Sequence, residues 1–189
     1  MAFLKKTWDF IWHEDSIASW LVNLVLAFVL VKWVIYPGLG LLLGTSFPIV
    51  AVVSGSMEHE GMDFNAWWEH SGQWYEDKNI SKDEFSTYRF KNGFQKGDIM
   101  ILMGAEPKDI KVGDVIVYES LRHNNPIIHR VVEIDGNNEI TFRTKGDHNG
   151  IPDDEVVTSQ QIARTGKAIQ KLPYLGWIKI WFVSLAGLQ

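Results

Sequence analysis

Residues 112–146 read VGDVIVYESLRHNNPIIHRVVEIDGNNEITFRTKG, and three apolar or β-branched runs in this stretch are separated by turn residues. The runs 112–120, 126–134 and 139–146 have the length and composition of strands. The last two are joined by Asp-Gly-Asn-Asn, a hairpin signal. Upstream, KGDIMILMG at 96–104 repeats the pattern of Gly-Asp before an apolar run. These segments predict a mainly β domain.

A segment of a different kind, residues 58–95, precedes these strands and mixes acids, aromatics and polar residues without a sustained period. We interpret it as an insertion of short helical turns. Ser81 followed by Glu84 forms a capping box, which predicts a helix from about residue 82. Four aromatic residues are expected to pack the insertion onto the β domain rather than to bind a ligand: Trp67, Trp68, Trp74 and Tyr75.

The N-terminal region contains a run of 20 residues, 17–36, in which only Asn23 and Lys32 are strongly polar. A helix of this length extends about 30 Å, enough to cross a bilayer core. Trp20 and Trp33 lie near its ends, where aromatic belts occur. The run is too long for a cleavable signal peptide. We therefore predict a transmembrane helix.

Two lysines, Lys5 and Lys6, precede this span. The positive-inside rule then predicts that residues 1–16 are cytoplasmic and that residues 37–171 form a domain outside the cytoplasm. After Pro37 the chain stays apolar but is interrupted by glycines, which predicts a bend followed by a strand that leads to Ser56.

The C-terminal segment 172–189 is apolar and aromatic but contains a proline, two glycines and Lys179. A second span is possible on length. We favour a helix at the membrane interface, seated by Trp177, Trp181 and Phe182.

Charge and cysteine content exclude several classes of protein. The net charge of −5 argues against a nucleic-acid partner. With no cysteine, the chain has no disulfide, thiolate metal site or thiol nucleophile. We expect no metal and no cofactor, and any nucleophile must be an oxygen or an amine.

Ser54-Gly55-Ser56-Met57 follows an apolar strand and raises the question of a serine nucleophile. A serine hydroxyl needs a base within hydrogen-bond reach and donors for an oxyanion. His129 is the candidate base because it lies within an apolar strand; His13 lies before the span, and three others occupy polar stretches: His59, His70 and His123. Taken singly, such a serine is usually part of a turn, such a histidine part of a core, and the aspartates in TKGDHNGIPDD, residues 144–154, part of loops.

Taken together, the motifs SGSM, IIHRVVEI and TKGDHNGIPDD behind an N-terminal span resemble a type I signal peptidase of the archaeal and endoplasmic-reticulum branch. The resemblance implies that Ser56 is the nucleophile and His129 the base. It implies Asp153 as the acid that orients His129 and Asp147 as a residue that helps organise the site, with Asp154 as an alternative. Where relatives typically have asparagine after the first aspartate, this chain has His148.

The same resemblance implies a substrate, a secreted preprotein cut after a motif with small side chains one and three residues before the scissile bond. The Ser56 backbone N–H and the Ser54 hydroxyl are the expected oxyanion donors. An extended peptide could add to a strand edge, and we expect contacts at Val52, Met57 and Ile101. The lipid bilayer is the other expected partner, with further complex subunits possible, and the cell membrane the expected location.

Two alternatives compete with this interpretation. A catalytically idle, membrane-anchored β domain that serves as a binding or scaffolding subunit is disfavoured by the intact set of Ser56, His129 and acids. A self-cleaving repressor-type serine protease is disfavoured by the span and by histidine rather than lysine as the base.

Overall fold

A computed structural model describes residues 2–123, 125–136 and 139–185 of the chain. It divides into two compact units, one ending at Leu42 and one beginning at Leu43. Two residues of the predicted Asp-Gly-Asn-Asn turn, 137 and 138, lie outside the described residues, as do residues 186–189 of the C-terminal segment.

The N-terminal unit is helical. It contains α1 (Ala2–Trp12), α2 (Ile17–Leu30), a π-helical turn (Val31–Ile35) and α3 (Tyr36–Leu43). The α2 helix begins at Ser16, whose hydroxyl accepts a hydrogen bond from Ser19 N–H. Residues Ile17–Leu43 form one helix of 27 residues that is long and apolar enough to cross a membrane, and no other helix in the described chain meets that test.

The bend predicted after Pro37 is wrong, because the helix continues to Leu43. Proline lacks a backbone donor and its ring clashes with the carbonyl of the preceding turn. The turn just before Pro37 is a widened π turn, in which Tyr36 N–H donates to Val31 O, five residues back. This local change in hydrogen bonding lets the helix continue through the proline. Lys32 and Trp33 consequently lie well inside the helix rather than near its C-terminal end.

The second unit is built on one antiparallel sheet of seven strands in the order β1-β2-β7-β3-β4-β5-β6. The strands are β1 (Ile49–Ala51), β2 (Ile99–Met103), β3 (Val115–Tyr118), β4 (Ile127–Asp135), β5 (Thr141–Lys145), β6 (Val156–Thr158) and β7 (Gly166–Leu172). A short 3-10 turn (Pro107–Asp109) precedes β3, and a short helix (Ser159–Ile162) follows β6. The mainly β class and the four strands predicted from 96–146 are confirmed.

Alternating inward residues of these strands form two apolar clusters. One includes Met100 and Leu102 of β2 and Val115 and Val117 of β3. The other includes Ile116 and Tyr118 of β3 with Val131 and Phe142. β3 is the middle strand of the sheet and is buried on both faces, so it contributes to both clusters; β4 pairs with it on one side.

The insertion forms the three short helices that its composition indicated: α4 (Phe64–Ser71), α5 (Gln73–Glu76) and α6 (Lys82–Ser86). The Ser81 hydroxyl accepts from Glu84 N–H at the start of α6, as its capping signal predicts. The aromatic side chains of these helices pack together against Val132 of β4 in a third cluster: Trp67, Trp68, Tyr75 and Phe85 are buried, and Trp74 is partly so.

A final helix, Gly176–Leu185, begins inside the predicted C-terminal segment. Its Trp181 is exposed and Trp177 partly so. The side chain of Phe182, predicted to seat this helix at the interface, is outside the described part of the chain.

Candidate active site

Ser56 lies in the loop that follows β1. Backbone hydrogen bonds fix the approach to this loop, since Val52 N–H donates to Asp98 O and Gly97 N–H donates to Val52 O. After Ser56, Met57 is buried in the core with only 1% of its surface exposed. The loop is therefore held on both sides of a partly exposed serine.

His129 projects from β4, where it lies opposite Ile116 of β3. Its Nε2 is 2.9 Å from Ser56 Oγ. On its other side, Nδ1 is 2.6 Å from Asp153 Oδ2. A carboxylate can only accept, so Nδ1 carries the proton and Nε2 is left to accept from the Ser56 hydroxyl.

Asp153 is tied to β5, because its N–H donates to Thr144 O at 2.8 Å. Its Oδ2 also accepts from the hydroxyls of Thr144 at 2.6 Å and Tyr118 at 3.2 Å. Burial raises the pKa of this carboxyl, but the hydrogen bonds from His129, Thr144 and Tyr118 and the His129 charge outweigh burial and leave the pKa below its usual value. Asp153 is accordingly ionised beside the imidazole.

The other two candidate aspartates lie elsewhere. Asp154 is 82% exposed and lies 3.9 Å from an Arg122 nitrogen. Asp147 is fully buried and makes a two-point ion pair with Arg130, from Nε at 2.9 Å and from Nη2 at 2.7 Å. Burial raises the pKa of Asp147, but Arg130 and His59 outweigh burial and hold it well below its usual range. Neither carboxyl contacts His129.

The Ser54 hydroxyl, one of the two expected oxyanion donors, lies beside the nucleophile. Ser54 Oγ is 3.2 Å from Ser56 Oγ. Among the described residues, Ser56 N–H has no acceptor. Glu58 N–H donates to Gly55 O and closes a tight turn. A side chain at Gly55 would come within 3.1 Å of the Glu58 carboxyl, so the turn has little room for one.

The three residues predicted to contact the substrate are not placed where an added peptide strand could reach them. Val52 and Met57 are buried, so their side chains face the core. Ile101 lies in β2, which is not an edge strand, because Ile101 pairs with Ile49 of β1 and with Gln170 of β7. A peptide therefore cannot pair with the strand that contains Ile101, and the free edge at this end of the described sheet belongs to β1.

His148, the departure from the usual asparagine, contributes through its backbone. Its N–H donates to Ser56 O at 2.9 Å. Its imidazole is half-exposed and lies 3.9 Å from Glu60. Gly146 packs against the same carbonyl, and a Cβ there would lie 2.5 Å from Ser56 O.

Lys145 is the lysine to consider as an alternative base; it is buried at the end of β5. Burial lowers its pKa to about 8. Its ammonium, however, donates to Gly146 O at 3.1 Å and to the Tyr75 hydroxyl at 3.4 Å, and it does not contact Ser56. Among the described side chains, no group of three or more histidines and carboxylates could hold a metal ion.

Several residues at the site were not predicted from the sequence. Thr144 and Tyr118 fix Asp153, while Arg130, Tyr75 and His59 surround Asp147. Thr144 lies two residues after Phe142 and shares the inward face of β5 with it. This spacing could have marked Thr144 as a buried hydroxyl. His59 gave no signal, since its neighbours in sequence are acidic and polar.

Comparison with known proteins of similar sequence identifies the family of this chain. The signal peptidase complex catalytic subunit SEC11 of Scheffersomyces stipitis is 30% identical over 165 residues, which cover 83% of this chain and 79% of the relative. This chain belongs to that family. The SEC11 subunit of Colletotrichum graminicola is 29% identical over 86% of this chain and 79% of its own length. Human SEC11C is 28% identical over 77% of this chain and 62% of its own length. No protein-family profile matches the chain.

Proposed function

We propose that Ser56, His129 and Asp153 are the groups with which this signal peptidase hydrolyses the peptide bond behind an N-terminal signal peptide. The enzyme is a serine protease of the SEC11 family, and its N-terminal helix fits membrane anchoring. The observation that supports these roles is the hydrogen-bonded series from Ser56 Oγ to His129 Nε2 at 2.9 Å and from His129 Nδ1 to Asp153 at 2.6 Å.

The reaction follows from this arrangement. His129 Nε2 takes the Ser56 proton as Oγ attacks the scissile carbonyl, and it later donates this proton to the leaving amine. The C–N bond breaks and an acyl-enzyme ester on Ser56 forms. Water, deprotonated by the same imidazole, then attacks the ester. The bond from the acyl carbon to Ser56 Oγ breaks, His129 returns the proton to Oγ, and the signal peptide leaves with a free carboxylate. Asp153 holds the Nδ1–H tautomer and stabilises the imidazolium that forms in each step.

The oxyanion is assigned to Ser56 N–H and the Ser54 hydroxyl. In the resting arrangement the Ser56 hydroxyl donates to His129, so the Ser54 hydroxyl is the donor in the 3.2 Å contact between the two serines. A small rotation of the Ser54 side chain redirects this donor to a carbonyl oxygen on the attacked carbon. Such donors stabilise charge that develops only in the transition state.

We assign peptide binding to the free edge of β1, which leads directly into the Ser56 loop. An extended preprotein segment can pair with this edge by main-chain hydrogen bonds. Val53 is 54% exposed, between the buried Val52 and the exposed Ser54, so its apolar side chain is available for contact with the peptide. Small side chains one and three residues before the cleaved bond are proposed from the family resemblance.

We propose that residues 1–16 lie in the cytoplasm and that the catalytic unit lies on the other side of the cell membrane or an equivalent membrane. Lys5 and Lys6 before the span support this orientation. Twelve residues, 44–55, separate the helix end at Leu43 from Ser56. Anchoring raises the local concentration of substrates whose own apolar segment is in the same membrane. The relatives are named as subunits of a complex, which supports partner subunits for this chain too.

The roles are tested by cleavage of a preprotein in liposomes, comparing the full-length enzyme with alanine variants of Ser56, His129, Asp153 and Asp147. Loss of Ser56, His129 or Asp153 should reduce kcat by roughly 10²–10⁴-fold. Asp154→Ala is the matched control, because this exposed neighbour does not contact His129, and it should cleave within about twofold of wild type. Full activity of folded Ser56→Ala would overturn the assignment.

A further inference from the structure

His59 lies three residues after Ser56 and is buried, with 3% of its surface exposed. Its ring stacks on Trp67 of the insertion with centroids 3.9 Å apart and planes within 5° of parallel. Its Nε2 lies 3.2 Å from Asp147 Oδ2. His59 thus connects the segment that carries Ser56 to the buried carboxylate of Asp147.

Several charged or polar groups surround the contact between His59 and Asp147. Asp147 already has the Arg130 guanidinium as its ion-pair partner, and it also accepts from the Tyr75 hydroxyl at 3.1 Å. Lys145 supplies a second cation, 3.4 Å from that hydroxyl. A carboxylate can only accept, so His59 donates from Nε2 to Asp147. Its Nδ1 is the buried side-chain polar atom left without a partner among the described residues.

This unpaired Nδ1 argues that the ring is more than a space filler. A phenyl ring would stack on Trp67 without leaving a buried acceptor unpaired, and such atoms cost free energy. Compared with a phenyl ring, the imidazole adds one hydrogen-bond donor that reaches Asp147. The contact that distinguishes histidine at this position is therefore the one to the carboxylate.

The Asp147 turn and the Ser56 segment are joined at three points. His148 N–H donates to Ser56 O at 2.9 Å, and Asp147 N–H lies 3.4 Å from Met57 Sδ. The third point is His59 to Asp147. Asp147 is bound in turn to Arg130, the neighbour of His129 on β4, so one carboxylate links the segments of the nucleophile and the base.

We propose that His59 is a positioning residue that keeps Ser56 Oγ within reach of His129 by fixing the nucleophile segment to Asp147. This inference rests on the proposed roles of Ser56 and His129. Displacement of reacting groups by about 1 Å can cost roughly 100-fold in rate. Loss of the third attachment should therefore lower the rate of chemistry and leave substrate binding at the β1 edge unchanged.

The test compares His59→Phe, which keeps the stack and removes the donor, with His59→Gln, whose amide can donate in place of Nε2. We expect His59→Phe to lower kcat by about tenfold or more at unchanged KM, and His59→Gln to recover kcat to within about threefold of wild type. His70→Phe is the matched control: this exposed histidine of the same insertion should leave kcat unchanged. Thermal unfolding of each full-length variant is followed in the same liposomes.

Wild-type kcat in His59→Phe would overturn the inference, as would equal losses in the Phe and Gln variants that track a lowered Tm. If His59→Phe does not fold, His59→Leu also removes the donor; it should lower kcat about tenfold at unchanged KM, and an unchanged kcat would again overturn the inference. Inactive Ser56→Ala and His129→Ala beside a fully active His59→Phe would reject only the role of His59. Active Ser56→Ala would reject the proposed function itself.

Discussion

Asp153 Oδ2 accepts hydrogen bonds from His129, Thr144 and Tyr118, and this one oxygen sets the orientation of the imidazole. The Thr144 side chain is fully buried, so its donor is not exchanged for water. Hydrogen bonds to charged groups typically contribute about 1.5–3 kcal/mol. Thr144 therefore belongs to the machinery that holds Asp153, although it does not touch the substrate.

Thr144→Val, which replaces the hydroxyl by a methyl group, should lower kcat about tenfold because Asp153 loses a short donor. Thr144→Ser retains the donor and is the control, expected within about threefold of wild type. Preprotein cleavage at saturating substrate measures both. Equal rates for the valine variant and wild type would show that Asp153 is held without Thr144.

The pH dependence of cleavage distinguishes a histidine base from a lysine base. His129 must be neutral to accept the Ser56 proton, so kcat/KM should fall as the pH drops and the imidazole is protonated. The pKa of Asp153 is lowered, so Asp153 stays ionised while this occurs. Lys145 has its pKa lowered to about 8 and is the competing base.

We therefore expect Lys145→Met to retain the acidic limb of the wild-type profile. A limb that disappears or moves in Lys145→Met, with the fold intact, would identify lysine as the titrating group. Lys145→Arg, which keeps a charge at the position, separates loss of a base from loss of a charge.

Residue type and strand context raised Ser56 and His129 as candidates, and the resemblance to signal peptidases implied their roles and those of the aspartates. The resemblance favoured Asp153 over Asp147 and Asp154, but residue pattern alone could not choose, because loop residues point in different directions according to backbone turns. Residue pattern also missed His59, since its burial depends on Trp67, which is contributed by a different element. Local pattern identifies candidate groups, and tertiary contacts decide which of them meet.

At the scale of elements, β2 to β5 were predictable because each is an apolar run between turn signals. The interior strand β7 was not, since its sequence GKAIQKL alternates buried and polar positions and resembles a surface segment. Its place between β2 and β3 is set by long-range pairing. The π turn at Val31–Ile35 was likewise invisible, because the helix compensates for Pro37 by a change in backbone geometry.

The insertion is bound to β4 through Arg130. Phe85 of α6 lies beneath the Arg130 guanidinium, 4.7 Å from ring centroid to Cζ, and packs against Trp67 and Tyr75. Arg130 also donates to the carbonyls of Arg89 and Phe90 at the end of the insertion. Loss of the insertion would leave a buried cation with unpaired donors.

Phe85→Ala should consequently lower the free energy of unfolding by about 3–5 kcal/mol, the range for a buried phenylalanine. The cleavage site in the preprotein should not change, because Phe85 packs on the insertion aromatics and on Arg130. Phe85→Leu is the milder control. Thermal unfolding and sequencing of the product N-terminus test both points, and a folded variant that cuts at new sites would contradict the second.

At the scale of the whole molecule, an apolar helix of 27 residues is joined to a β unit that carries the site. The chain contains no cysteine, so single cysteines report the side of the membrane on which each part lies. In sealed right-side-out vesicles, Asp154→Cys should react with an impermeant maleimide and Lys5→Cys only after permeabilisation. Reaction of both from the outside would contradict the proposed orientation.

The central claim, that Ser56 is a nucleophile activated by His129, is tested most directly by covalent trapping. Full-length enzyme in liposomes is incubated with a signal-peptide-derived peptidyl phosphonate, and the modified residue is located by mass spectrometry. We predict one adduct, on Ser56, that is absent in Ser56→Ala and forms at least 100-fold more slowly in His129→Ala. An adduct on another residue, or none in enzyme that still cleaves preprotein, would contradict the account.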